Sequence, residues 1–450
     1  MSISKFWKEA TAYRLGGGHL ADHKAMNVAT YATNPLTGVA TGLQGPTGPW
    51  KGWRNTRKSN IGTRIFGGRM GAFDNTTTQT FQVTCSLAQH FDAVRVIFAN
   101  GSNAGTIAVG GCKISSQSAA SDLNNSAGSW NSVYMAGSLT GTIPAAATAA
   151  SRRGYLVSDW VALNSADRSD GGTFPLITIR ASITTAASIS IFGNGTDDYT
   201  NWPTRPNGRI WCMRNQSGDQ ITTPSGFTST TNAKQSPVIG VQYAARGQVI
   251  TVMGAGDSIT EGHGGTYLGE GFGVPACESL SSMSGTAVEW CNIGISGSGA
   301  NIFRDQVIDI LAAGIKPDLL VLSYGSPNDN GGTWLAATTT GIRGYLGQMF
   351  GTVRENQVPV VLWTVMPTNP SVKAYGATDA LRVAHNTATL AMASKGMDVM
   401  DFSAALSGIT DGTGQVNMLA GSTTDGIHPN DAGNAILAPI LAAKIKEYFC

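Results

Sequence analysis

Gln248–Ser258 reads QVITVMGAGDS. An uncharged, largely β-branched and apolar run stops abruptly at Gly-Asp-Ser. Such a run, bounded by a turn, predicts a strand buried on both faces, as in a parallel sheet. Strand-like segments recur at Ala287–Ile293, Asp318–Tyr324 (DLLVLSY), Val358–Met366 (VPVVLWTVM) and Met397–Met400. Between and after them, Leu268–Met283, Ile302–Ala313, Leu335–Val353, Asp379–Ser394 and Asp431–Phe449 carry helical spacing. Strand and helix alternate, which predicts a doubly wound, three-layer α/β/α domain with a parallel sheet over residues 246–450.

The pattern differs on the N-terminal side. Ala93–Phe98 (AVRVIF), Thr106–Val109, Leu176–Ala181 (LITIRA) and Ala187–Phe192 (ASISIF) are short and β-branched, separated by Gly/Asn/Ser/Asp clusters. Residues 66–245 are therefore expected to form an all-β sandwich, jelly-roll-like, serving as an accessory or carbohydrate-binding domain. A connecting passage rich in Ser and Thr runs through Thr222–Ser236. Residues 1–65 read as an irregular arm, with a Gly/Pro run at Gly42–Pro49 too short for a collagen helix.

Composition narrows the function. The chain has 450 residues and 42% hydrophobic content, enough for more than one core. Only 13% of residues are charged, against roughly 25% in an average protein. Together with 57 glycines, this describes a turn-rich, hydroxyl-lined surface. Net charge is +2, so no global field draws nucleic acid. The first sixty residues are basic, which reads as a solvated or interface segment. No apolar run reaches the length of a membrane span, and the N-terminus has no apolar core of a cleavable signal. An extracellular or virion-associated setting is expected. Cys85, Cys112, Cys212, Cys277, Cys291 and Cys450 include no C-x-x-C pair, which disfavours zinc. Disulfides Cys277–Cys291 and Cys85–Cys112 stand as options beside buried free thiols.

In a parallel α/β sheet, ligands gather at the carboxyl ends of the strands. There the sequence places Asp257-Ser258, then Asn292 with Gly294–Gly297, then Gly325–Asp329, and finally Asp425-Gly-Ile-His428 before the last helix. These types make one device. A serine hydroxyl becomes a nucleophile when a base takes its proton, and His428 can be that base. Asp425, three residues earlier, can hold the other ring nitrogen. The Ser258 and Gly297 N–H groups and the Asn328 amide can stabilise an oxyanion.

Gly256–Gly262 (GDSITEG), Asn292–Gly297, Asn328-Asp329 and Asp425–His428 resemble successive blocks of the GDSL-type esterases, the SGNH hydrolase family. The resemblance spans about residues 246–450. It implies Ser258 as nucleophile, His428 as base, Asp425 as its orienter, and Ser258, Gly297 and Asn328 as the oxyanion hole, with no metal and no cofactor. One departure stands out. The family's third block reads Gly-x-Asn-Asp, whereas this chain has Gly325-Ser326-Pro327-Asn328-Asp329, which makes Asn330 a rival donor. No Gly-x-Ser-x-Gly elbow is present. Asp257, His263 and Tyr324 are further candidates for contact with substrate, although Asp257 also reads as a loop-holding group, His263 as solvent-facing and Tyr324 as core. Trp334 and Trp363 read as core. The Trp50/Trp53 and Trp202/Trp211 pairs read as packing, with sugar stacking as the alternative.

The expected activity is ester hydrolysis, with O-acetyl groups on a polysaccharide as the favoured substrate. A broad short-chain esterase or lipase is one alternative. Others are a virus tail or surface receptor-binding protein with an esterase head and a homo-oligomer formed through the arm, or a catalytically dead sugar-binding module. No nucleic acid partner is expected.

Overall fold

The computed structural model describes residues 59–73, 77–148, 152–184, 189–193, 209–221, 224–230, 233–284, 286–329 and 334–449. Most of the expected arm, with Trp50 and Trp53, and also Trp202, Asn330 and Cys450, lies outside these residues.

The C-terminal sheet is parallel. We label its strands β1 (Val249–Ala255), β2 (Ala287–Asn292), β3 (Leu319–Ser323), β4 (Val360–Trp363) and β5 (Asp398–Met400). Their spatial order is β2-β1-β3-β4-β5. The helices are α1 (Ser258–Glu261), α2 (Gly273–Ser284), α3 (Ala300–Ala312), α4 (Ala336–Glu355), α5 (Asp379–Leu390), α6 (Phe402–Ala405) and α7 (Asp431–Phe449). Alternate strand residues face different cores, which is why these strands lack a polar face. Val252, Val288, Val321 and Val361 pack with Val274 and Leu280 of α2 and Leu437 and Leu441 of α7. Met253, Leu320, Leu322 and Val360 pack with Phe303 and Val307 of α3 and Ile342 and Leu346 of α4. Two helical layers therefore enclose the sheet, as the alternation predicts. Helix α2 starts five residues later than its spacing suggests, because Gly269 and Gly271 adopt positive φ (92° and 48°) and hold a turn before Gly273.

The described residues up to 245 lie mostly in strands of antiparallel sheets. One sheet runs Ile61–Ile65, Val238–Ala245, Phe91–Asn100, Gly154–Val157. Another runs Trp211–Ser217, Gln79–Ser86, Leu176–Thr184, Ile107–Gln117, Asn131–Ser132. A small third sheet joins Gln235–Ser236, Ile189–Gly193 and Met70–Phe73. The end of the expected arm is corrected here: Ile61–Ile65 is a regular strand, paired from Ile61↔Ala244 to Ile65↔Gly240. Gly62 belongs there because the Tyr243 ring occupies the space a Cβ would take. Trp211, Trp334 and Trp363 are core residues.

Cys85, Cys112, Cys277 and Cys291 are buried free thiols, so neither Cys277–Cys291 nor Cys85–Cys112 forms a disulfide. Burial pushes the Cys85 thiol up to about 12, which leaves it inert. Among the described residues, no helix is long and apolar enough to cross a membrane.

The two regions meet around one carboxylate. Glu289 of β2 is fully buried. Its Oε1 accepts from Arg64 Nη1 (3.0 Å) and Arg209 Nη1 (3.1 Å). Its Oε2 accepts from the Tyr243 hydroxyl (2.8 Å) and the Ala88 N–H (2.7 Å). Burial opposes the charge, but Arg209 and Arg64 outweigh it and hold the carboxyl below its usual range.

A second buried group makes stability depend on pH. His385 on α5 contacts the Tyr324 carbonyl oxygen through Nε2 at 2.7 Å and stacks on the Tyr324 ring, while its Nδ1 is buried without a partner. Burial lowers its pKa from 6.5 to about 4. The unfolded chain therefore binds the proton first, and stability is lost as pH falls from 6.5 towards 4. The loss reaches about 3 kcal/mol for this one group. Urea melts at pH 7.5 and 4.5 should show a smaller pH dependence in His385→Phe than in the native protein. Equal dependence in both would contradict this account.

Candidate active site

Asp257 lies two residues past β1 and caps the short helix α1, accepting from the Ile259 N–H at 2.9 Å. That cap starts the helix at Ser258, so the Ser258 N–H has no acceptor within the helix. Ser258 lies at the carboxyl edge of β1. The loop before α7 brings His428 to it, with Nε2 at 2.8 Å from Ser258 Oγ. On the far side of the ring, His428 Nδ1 lies 2.5 Å from Asp425 Oδ2. Asp425 Oδ1 accepts from the N–H groups of Ile427 (2.9 Å) and His428 (2.8 Å). Burial opposes its charge, but the His428 and Ile427 N–H groups and the His428 ring outweigh it and hold the carboxyl at about 2. Asp425 is therefore ionised throughout the neutral range, and the Nδ1 proton of His428 has a fixed acceptor.

Gly297 is the exposed point of an otherwise largely buried loop after β2, with φ of 77°. A Cβ built there would meet nothing within 4 Å. The left-handed backbone, rather than crowding, demands glycine at this position. The loop is fixed from below by Glu261, whose Oε2 accepts the Ser296 N–H at 2.8 Å. Glu261 is fully buried, and burial raises its pKa. Asn292 ties the same loop to the serine helix. Its Nδ2 donates to the carbonyls of Thr260 (3.0 Å) and Gly269 (3.0 Å), and its Oδ1 accepts from the Gly294 N–H (2.9 Å).

Asn328 donates from Nδ2 to the Ser298 carbonyl at 3.2 Å, which points its amide N–H groups towards the Gly297 loop. Its Oδ1 accepts from Lys373 Nζ at 2.9 Å, and Lys373 also donates to the Pro327 carbonyl at 2.6 Å. An ammonium only donates, so it fixes which end of the amide faces it. Lys373 went unread in the sequence because a lone lysine in a loop carries no pattern.

Ser326, the departure from the family block, also has a role. Its hydroxyl donates to Asp257 Oδ2 (2.5 Å) and accepts from the Asn328 N–H (3.0 Å), linking the serine helix to the Asn328 loop. Asp329 accepts from the Ala300 N–H at 3.0 Å, capping α3 where Gly299 has no side chain to do so. Burial pushes its carboxyl up to about 6.

The structure brings together Ser258, His428 and Asp425, with Gly297 and Asn328 on neighbouring loops. Two candidates for substrate contact are corrected. Asp257 is fully buried as a helix cap, and Tyr324 is fully buried between β3 and His385, so neither offers surface to a ligand. His263 remains at the cleft, one-fifth exposed, with its ring centroid 5.4 Å from that of His428. Among the described residues, no group of three or more His, Cys, Asp and Glu side chains is placed to hold a metal ion.

Comparison with known proteins gives a family for this region. Residues 255–436 match the model of the GDSL-like Lipase/Acylhydrolase family. No curated protein sequence matches the chain. Similar solved structures include a putative acylhydrolase from Bacteroides fragilis, at 20% identity over 44% of this chain and 88% of that one, with a TM-score of 0.34. A family 3 carbohydrate esterase from Talaromyces cellulolyticus is 21% identical over 44% of this chain and 98% of its own, with a TM-score of 0.33. An acetyl xylan esterase is 18% identical over 44% and 100%, also with a TM-score of 0.33. Residues 255–436 are thus a GDSL-like lipase/acylhydrolase domain, of a family of ester hydrolases.

Proposed function

We propose that the chain removes O-acetyl groups from a polysaccharide through an acyl-enzyme on Ser258. The observation that carries this is the continuous hydrogen-bonded line Ser258 Oγ–His428–Asp425, at 2.8 and 2.5 Å. In this reading His428 Nε2 takes the hydroxyl proton as Ser258 Oγ attacks the acetyl carbonyl. The Ser258 and Gly297 N–H groups and the Asn328 amide receive the oxyanion. As the tetrahedral intermediate collapses, the sugar hydroxyl leaves with the proton from His428. Water, deprotonated by the same ring, then attacks the acyl-enzyme and releases acetate. The cavity beside Gly297 mixes the hydroxyls of Ser102, Ser190 and Ser296 with apolar Met70, Ile295 and Ile302, a lining that suits a sugar, whose hydroxyls and C–H faces need both.

The test is acetate release from a panel of O-acetylated polysaccharides, with p-nitrophenyl acetate alongside. Acetate from at least one glycan is expected. Turnover of p-nitrophenyl esters alone, rising with chain length, would favour a short-chain esterase or lipase instead.

Lys373 gives a finer prediction within this reading. Lys373→Met frees the Asn328 amide to rotate, so kcat should fall about tenfold or more with KM little changed. Lys373→Arg should restore part of the loss. A change confined to KM would contradict the positioning role.

A further inference from the structure

We propose that the cavity between the all-β region and the Gly297 loop is a subsite for a carboxylate-bearing sugar, which makes the preferred substrate an O-acetylated acidic glycan. The inference rests on the esterase reading above and extends it to substrate class. The cavity measures about 370 Å³, inside the roughly 300–1,000 Å³ range of small-ligand sites. Its lining includes Arg69, Arg153, Ser102, Ser190, Ser296 and Gly297. Two arginines and three serines therefore border one space, and no carboxylate stands among the described residues that line it. Guanidinium groups recognise carboxylates through paired N–H donors, and serine hydroxyls suit the neighbouring sugar hydroxyls.

Position ties this space to the reaction. Gly297 belongs both to the cavity wall and to the proposed oxyanion hole. Arg69 Nη1 lies 3.4 Å from His263 Nε2, and the His263 ring packs beside His428. A sugar whose acetyl group reaches Ser258 can thus extend over Gly297 towards the two arginines. Two carboxylates lie near the described lining, each with partners of its own. Glu261 lies beneath the loop near Arg69 and His263. Asp309, close to Arg153, is held by Arg152 at 2.5 Å. Arg153 itself is buried and is braced by the Gly68 and Arg152 carbonyl oxygens, so its guanidinium is held in place before any ligand arrives. Much of the wall comes from the all-β region: Arg69 and Met70 at one strand, the Gly101-Ser102 turn, and Ser190 at another strand. That region therefore gives the hydrolase domain a recognition surface.

The test uses O-acetylated hexuronate and sialate oligosaccharides, each as free acid and as methyl ester, with p-nitrophenyl acetate in parallel. The native protein should show a kcat/KM about ten- to a hundredfold higher for the acid of at least one pair. Arg69→Gln and Arg153→Gln should bring that ratio towards unity. Ser102→Asp, a loop change that needs no buried arginine to be lost, should invert it. Because each protein is read as a ratio, partial loss of folded material does not mimic the result. Equal rates on acid and ester, a ratio unchanged in all three variants, or turnover of neither form while p-nitrophenyl acetate is cleaved would overturn the subsite. No turnover of p-nitrophenyl acetate by the native protein would instead sink the esterase reading, and the subsite with it.

Discussion

Ser258→Ala is expected to lower kcat on any ester substrate by roughly 10⁵- to 10⁶-fold, with only the contribution of binding and oxyanion donors remaining. The reason is geometric. His428 Nε2 has one hydroxyl in reach at 2.8 Å, and Asp425 holds the opposite ring nitrogen at 2.5 Å. With no oxygen at residue 258, no acyl-enzyme forms. His428→Ala should cost nearly as much, and the double variant little more than either single one, because the pair acts as a unit. Fold should be unaffected, since Ser258 Oγ caps nothing: the cap of α1 is Asp257. A Ser258→Ala protein that keeps the native rate would remove the nucleophile assignment. Additive losses would mean that the two residues act independently.

The second large effect is on stability. Glu289→Ala should cost about 3–5 kcal/mol, because it leaves buried cations without their carboxylate. Arg64 loses its 3.0 Å partner, and Arg209 loses one of two carboxylates, keeping Glu278 at 3.1 Å. The Tyr243 hydroxyl and the Ala88 N–H lose their acceptor as well. Arg64, Arg209, Tyr243 and Ala88 come from the antiparallel region, whereas Glu289 stands on the edge strand of the parallel sheet. The variant should therefore loosen the junction between the two, which thermal melts would show as a lower midpoint. Glu289→Gln, which keeps acceptor geometry at one oxygen, should fall between the two proteins. A midpoint in Glu289→Ala within a degree or two of native would contradict a role for this cluster in joining the regions.

Much of the catalytic half was legible because its signals are local. The parallel strands are apolar on both faces, so each run announces itself, and the cap, nucleophile and helix start are adjacent at Asp257-Ser258-Ile259. Asp425 and His428 are likewise three residues apart. The antiparallel half was harder. Gln79–Ser86 alternates apolar Phe81, Val83 and Cys85 with polar residues, a pattern that implies one wet face, yet the polar residues are buried too. Gln82 and Ser86 satisfy those polar atoms on distant carbonyls, at Leu123 (2.6 Å) and Ile210 (3.2 Å). Ile61–Ile65 was lost in the arm for a similar reason, since its partner strand lies far along the chain at Val238–Ala245. Lys373, Arg69 and Arg153 could not be read either. Their value comes from meeting Asn328, His263 and the Gly297 loop across long sequence separations, and no periodicity records that. Tyr324 carries two readings at its strand end, cleft and core, and the core reading holds: its ring is buried against His385.

The central claim is that His428 activates Ser258 as a covalent nucleophile. The direct measurement is labelling with a fluorophosphonate at pH 7, followed by peptide mass spectrometry of the native protein and of His428→Ala. The expected result is one adduct, on the peptide that contains Ser258, formed far more slowly in His428→Ala. An adduct on another serine in a protein that hydrolyses esters, or labelling of Ser258 at the same rate without His428, would contradict the account.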